Sequence, residues 1–266
     1  LLLGAETCLA TDGNFNNLLG VPLTLLRLEH SLHRQAVVEA GINQIGEMAK
    51  LAKTIAPDIT LVTMVASAHL EGLGSETKVA REKARLIQDS GTVKTAIFPE
   101  QCLKFDAFRE VQEGEAESLV LKYGDPTEEP PKGFLFFDTK TETNRVGDAA
   151  SLRLRRRGYP PLSFPLPLVS EGMESNCALA VAAALELGVS EDEIFERLPQ
   201  YKPSALRGKW LKGRGNFYYV DCYNANPASM LDAIRFFQRQ AGDLPKLLTL
   251  GGMEELGDEG PRLHQE

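Results

Sequence analysis

Apolar and polar positions along this chain follow two alternating periods. Short β-branched runs at residues 8–11, 35–41 and 58–65 predict strands, the last two buried. Between them, apolar residues recur at helical spacing. Residues 21–28 form one such stretch; Ile45, Met48, Leu51 and Ile55 form a second, in a helix from about Gln44 to Ile55 that Pro57 closes. Val79, Leu86 and Ile87 form a third. Strand, helix, strand, helix in this order predicts a largely parallel sheet with helices packed on it. From Thr92 the pattern shifts to strands at 92–98, 117–123 and 133–139 around the proline-rich loop 124–132, which predicts an antiparallel or mixed extension of the same sheet. Helices return at 174–187 and 191–198, with Gly188 and Ser190 as stop and cap; a strand ends at Asp221, and a helix covers 229–239. The fold class is α/β.

Composition narrows the function. A chain of 266 residues with 43% hydrophobic content can bury a sizeable core. Its net charge of -8 argues against non-specific binding to nucleic acid or anionic membranes and favours small-molecule partners. The one basic run, Arg153 to Arg157, alternates like a strand with a solvated face. No stretch is apolar for the length of a membrane span, and Cys8, Cys102, Cys177 and Cys222 lack metal-ligand or redox spacing. Reduced cysteines in a cytoplasmic protein are the expectation.

Candidate chemistry collects at predicted strand ends, where open α/β sheets hold ligands. Glu39 closes the second strand and His69 lies just past the third. Lys83 falls four residues after Val79, on the apolar face of its helix, where an unpaired cation is costly. An acid, an imidazole and an inward lysine can converge on one crevice. Asn14, Asn16 and Asn17, immediately before a helix, suit recognition of a polar ligand.

These residues carry a resemblance. The motifs Gly13-Asn14-Phe15-Asn16-Asn17, Ala68-His69-Leu70-Glu71-Gly72, Ala80-Arg81-Glu82-Lys83, Tyr223-Asn224-Ala225-Asn226-Pro227 and Leu250-Gly251-Gly252-Met253-Glu254-Glu255-Leu256-Gly257 resemble the Mur ligases, in the right order over nearly the whole chain. The asparagine-rich motif and the Tyr223 to Pro227 turn are most similar to the branch that joins D-alanyl-D-alanine to a UDP-N-acetylmuramoyl tripeptide. The resemblance implies a P-loop NTPase-like central ATPase domain over residues 1–243, and the start of a C-terminal nucleotide-fold domain over 244–266. It implies ATP and Mg2+ as cofactors, an acyl-phosphate intermediate, and a monomer active in peptidoglycan precursor synthesis. Glu39, His69 and Lys83 match the catalytic metal site, Lys83 as a carbamate. Asn176, Arg207, Asp221 and Asn224 match nucleotide-binding positions, and Asn14, Asn16 and Asn17 the substrate face.

Departures qualify this. The chain holds no glycine-rich Gly-Lys-Thr/Ser loop, so it is expected to begin inside the helix that follows one and to be inactive alone. Ser170 and Gly172 stand where the family usually has glycine and histidine. Residues 246–250 are expected to form the first strand of the next domain, with Leu247, Leu248 and Leu250 partly exposed and residues 244–266 dispensable for stability. Two other readings stand beside the ligase: a different amide-forming ligase such as a folylpolyglutamate synthase, and a non-catalytic binding module.

Overall fold

The computed structural model describes residues 1–141 and 149–265. In chain order the elements are β1 (Cys8–Ala10), α1 (Gly20–Leu25), β2 (Gln35–Val37), α2 (Glu47–Ile55), β3 (Ile59–Leu61), α3 (Leu70–Leu73) and α4 (Glu76–Gln88). Then follow β4 (Thr95–Pro99), α5 (Asp106–Glu113), β5 (Glu117–Tyr123), β6 (Phe134–Thr141), β7 (Ala149–Arg156) and β8 (Leu162–Pro167). The chain continues through α6 (Glu171–Glu186), α7 (Glu191–Arg197), β9 (Lys209–Gly213), β10 (Asn216–Val220), α8 (Pro227–Ala241) and α9 (Gly260–Leu263).

Six strands form one sheet in sequential order, β3 to β8; β3 to β6 are parallel, and β6, β7 and β8 are antiparallel. The expected mixed extension is therefore present. The expected continuity is not: β1 and β2 pair in parallel as a separate two-stranded sheet, and Val37 of β2 is 52% exposed, so β2 is no buried strand. Between β5 and β6 the parallel crossover contains no helix; the loop 124–133 makes it. Arg155 holds that loop by donating to the Thr127 carbonyl at 2.6 Å, and Gly158 N–H donates to Glu129 Oε1 at 3.0 Å.

Each face of the sheet carries its own core, as the period-2 alternation of a doubly covered strand requires. On β4, Ile97 points to one core and Ala96 and Phe98 to the other. The first core packs Leu119, Leu121, Leu135, Phe137, Leu152, Leu154, Phe164 and Leu166 against Leu179 and Val181 of α6 and Ile194 of α7. The second packs Phe98 and Val120 against Met48 and Leu51 of α2, Val79, Ala84 and Ile87 of α4, and Phe108 and Val111 of α5. Phe98 and Phe108 meet at 5.2 Å between ring centroids.

Local chemistry explains the boundaries. Helix α6 begins at Glu171, three residues before the pattern suggested, because the Ser170 side chain caps it by accepting from Met173 N–H. Ser190 caps α7 as expected, with Glu193 completing a capping box. Strand β8 was hidden by Pro165 and Pro167, which an edge strand tolerates. Residues 1–7 form turns where a helix tail was expected, and 246–250 form no strand. The arginines of β7 are not merely solvated: Arg153 pairs with Asp138, and Arg156 with Glu186 and Glu117. No helix among the described residues is long and apolar enough to cross a membrane.

Candidate functional site

Two loops, one after β2 and one after β3, and helix α4 carry the first group of candidates. The first loop carries Glu39, whose Oε1 accepts from Asn16 Nδ2 at 2.9 Å while its N–H donates to Thr11 Oγ1 at 2.8 Å. The carboxylate is thus aimed by the asparagine-rich loop and remains exposed. Asn17 is also used internally: its Oδ1 accepts from the N–H groups of Leu19 and Gly20, at 3.0 and 2.9 Å, at the start of α1. Two of the three asparagines expected to face a substrate therefore hold the site's own frame, and Asn14 stays exposed.

His69 sits on the second loop in the left-handed region, φ 57°, as the residue before α3. Its Nδ1 lies 2.5 Å from Glu255 Oε2. Nothing in the sequence brings Glu255 to His69; the contact arises because 251–257 folds back onto α3, where Glu71 N–H donates to the Glu255 carbonyl at 3.1 Å. Leu256 and Leu263 are buried in the second core and Met253 packs on it, whereas Leu247, Leu248 and Leu250 are 88%, 44% and 56% exposed. The expected exposure of those three leucines is present, while Leu256 and Leu263 join the core, which counts against residues 244–266 being dispensable for stability. Glu266, the last residue of that expected segment, lies outside the described residues.

Lys83 supplies the third group from α4. Val79 and Ile87 are buried beside it, and Nζ donates to the Met64 carbonyl, just beyond β3, at 2.6 Å. Burial pulls the ammonium below its ordinary range. The same surroundings push the neighbouring Cys102 thiol up to about 12, an inert thiol.

Two contacts bind these loops to one another. Buried Glu82, next to Lys83, accepts from Gly46 N–H at 2.8 Å and so ties the loop after Glu39 to α4. Gly72 of α3 lies so close to that loop that a Cβ would sit 1.9 Å from the Asn43 carbonyl oxygen. Sequence reading singled out neither Glu82 nor Glu255.

The nucleotide candidates form a second group. Arg207 stacks over the Tyr223 ring with its guanidinium carbon 4.0 Å from the centroid. Partial desolvation lifts the Asp221 carboxyl above its ordinary range, and Arg207 partly offsets this. Leu206, at φ 65°, accepts from Cys222 and Tyr223 N–H, which folds the Arg207 loop onto the strand end carrying Asp221. Asn224 Oδ1 accepts from Ala225 N–H at 2.8 Å, and Asn226 caps α8. Asn176 is exposed on α6 and makes no side-chain hydrogen bond among the described residues to this group. Helices α6 and α8 are joined by Gly172 N–H donating to Asp232 Oδ1 at 3.2 Å.

Glu39 and His69 lie on loops after β2 and β3, and Lys83 on the helix that follows, beside a sheet whose first four strands are parallel, the arrangement of a ligand-handling α/β domain. The family described as Mur ligase middle domain matches residues 2–184, and the chain belongs to the Mur ligase family. It is 30% identical over 256 residues to the UDP-N-acetylmuramoyl-tripeptide--D-alanyl-D-alanine ligase of Synechocystis sp., covering 96% of this chain and 51% of that protein. The Escherichia coli ligase of the same name is 30% identical over 259 residues, 96% of this chain and 54% of that protein. Among solved structures, MurF from Acinetobacter baumannii superimposes with a TM-score of 0.81 at 29% identity, over 98% of this chain and 54% of that one. The chain spans about half the length of the curated relatives it matches.

Proposed function

We propose that this chain is the nucleotide-handling part of a ligase that joins D-alanyl-D-alanine to a UDP-N-acetylmuramoyl tripeptide at the expense of ATP. The observation that carries this reading is a pair of ligand-type side chains on loops tied to the helix of the half-buried Lys83: Glu39 held by Asn16, and His69 with Nδ1 against the Glu255 carboxylate, close but not in hydrogen-bond geometry. A carboxylate on one imidazole nitrogen leaves the other as a ligand, which is how metal-binding histidines are held.

The donor set suits Mg2+ once Lys83 carries a carbamate. Among the described residues no three His, Cys, Asp or Glu side chains form a ready-made cluster, and a carbamate on Lys83 would add a second carboxylate-like oxygen donor to Glu39 and the His69 nitrogen, with water and phosphate oxygens completing the shell. Burial favours the neutral amine, the form that adds carbon dioxide. Bound magnesium would supply charge neutralisation at the transferring phosphoryl group. Glu39 and His69 hold that region of the crevice, and Asn16 and Glu255 fix their orientation. Arg207, Asp221, Asn224 and Asn176 grip the nucleotide. The γ-phosphoryl group passes to the tripeptide's terminal carboxylate with release of ADP. The amine of D-alanyl-D-alanine then attacks the acyl phosphate, forming the amide and releasing phosphate. The protein acts as a cytoplasmic monomer.

The test is ADP release by the natural gene product that carries this chain. Release is expected to require both the UDP-muramoyl tripeptide and D-alanyl-D-alanine, and to fall by about a thousandfold or more in Glu39→Ala and Lys83→Ala. Turnover with a folate and glutamate in their place, or full activity of both variants, would refute the assignment.

A further inference from the structure

Away from both groups of candidates, a cavity of about 590 Å³ opens between the carboxyl ends of β5 and β6, the start of α6 and the last turn of α8. That volume is typical of small-molecule sites. One wall is aromatic: Tyr123 and Phe137 stand edge to face, 5.7 Å between centroids and 87° between planes. Facing it is Glu174, only 9% exposed. Its Oε2 accepts from Thr139 Oγ1 at 2.7 Å, and among the described residues its other oxygen has no hydrogen-bond partner. Gln240 lines the same cavity, and its side-chain oxygen is buried with no partner. The nearby cation is already engaged, since Arg239 pairs with Glu171 at 2.8 Å.

Hydroxyls of Tyr123, Thr139, Thr141 and Ser175 and the Arg239 guanidinium also line the cavity, but the Glu174 carboxylate and the Gln240 oxygen are its buried acceptors in want of a donor. Its field is negative. The Tyr123 phenol is lifted by burial and then by the carboxylates of Asp138, Glu174 and Glu171, against Arg153 alone pulling it down. A buried carboxylate and an orphaned amide oxygen each carry a cost until a donor arrives. A metal ion fits poorly, because the facing oxygens are too few for a hard cation. An anion fits worse.

We propose that this cavity binds an organic ammonium: a primary amine on a short apolar or aromatic stem, donating to Glu174 and Gln240 while its stem lies against Tyr123 and Phe137. Each part has a physical reason. The ammonium satisfies both open acceptors with charge-assisted bonds, and aromatic faces attract cations. The site uses none of Glu39, His69, Lys83, Asn176, Arg207, Asp221 or Asn224, so it stands whether or not the ligase assignment does.

The test titrates the isotope-labelled chain with phenethylamine and, separately, with phenethyl alcohol, its neutral counterpart of nearly the same shape, following backbone amide resonances. Phenethylamine is expected to shift the resonances of Tyr123, Thr139, Glu174 and Gln240 saturably, and the alcohol to bind at least about tenfold more weakly, the loss of one charge-assisted bond. Glu174→Gln keeps an oxygen for Thr139 and is expected to weaken amine binding by about tenfold while leaving the alcohol unaffected. Equal affinity for amine and alcohol, unchanged amine binding in Glu174→Gln, or no saturable shift would overturn the proposal. The comparison of the two ligands on the unmodified chain needs no variant to fold.

Discussion

On each face of the six-stranded sheet a helix draws a charged side chain inward, Lys83 half-buried and Glu174 buried, and the two helices differ in legibility. Against one face, α4 brings Lys83 to the Met64 carbonyl, within a set of loops tied together by Glu82 and Gly72. Against the other, α6 brings Glu174 to Thr139, beside an open cavity. Lys83 sits in the third turn of its helix, where a charge on the apolar stripe stands out. Glu174 sits in the first turn, where an acid is ordinary because it complements the helix dipole. Burial of charge marks both regions, but a sequence pattern exposes it only where the charge has no local excuse.

The largest expected effect is at the contact that locks the first region. Gly72→Ala forces a methyl group onto a backbone oxygen that cannot swing away, and is expected to lower stability by about 3 kcal/mol in a denaturant melt. On the other face, Gly172→Ala meets Asp232 Oδ2 at 2.8 Å, the mobile end of a side chain, and is expected to cost under about 1 kcal/mol. Equal losses would mean that α3 is not pressed against the Glu39 loop.

Next comes Leu256→Ala. Leu256 is 3% exposed in the core that carries α4, so its truncation is expected to cost about 2–3 kcal/mol, and to release the turn that brings Glu255 to His69. Leu248→Ala, at 44% exposure, is expected to change stability by less than about 0.5 kcal/mol. A neutral Leu256→Ala would show the returning segment to be an onlooker.

The smallest effect has opposite signs in the two regions. Glu174 is raised by burial above its ordinary 4.5, so the folded state holds a proton that the unfolded state loses first. Its contribution is full below 4.5 and is lost as pH rises through the raised value. Lys83 is lowered by burial from 10.5, so the unfolded state binds more protons just below that value, and stability rises with pH there. Urea melts across pH are expected to show the acidic slope flattened by Glu174→Gln alone and the alkaline slope flattened by Lys83→Met alone. A flattening of both slopes by either variant would mean that the two charges are not independent.

The mixed sheet and most helices were legible because alternation and helical spacing are local. The split between β1–β2 and the larger sheet was not, because pairing is a long-range choice that short runs such as 35–37 do not encode. Helix α5 carries only Phe108 and Val111 as buried residues, too few to register as a period. At the site, Glu39, His69 and Lys83 could be singled out from strand ends and an apolar face. Glu255 and Glu82 could not, since their roles are contacts with loops distant in sequence. The asparagine cluster was rightly conspicuous, yet Asn16 and Asn17 spend their side chains on Glu39 and on the start of α1.

The central claim is that Lys83 is the reactive member of a metal site and not a buried stem. Carbon resonance spectroscopy of the protein equilibrated with isotopically labelled carbon dioxide and magnesium tests it directly. The account predicts a carbamate resonance that disappears in Lys83→Arg while the fold is retained. A spectrum without that resonance, or one in which it survives Lys83→Arg, would contradict it.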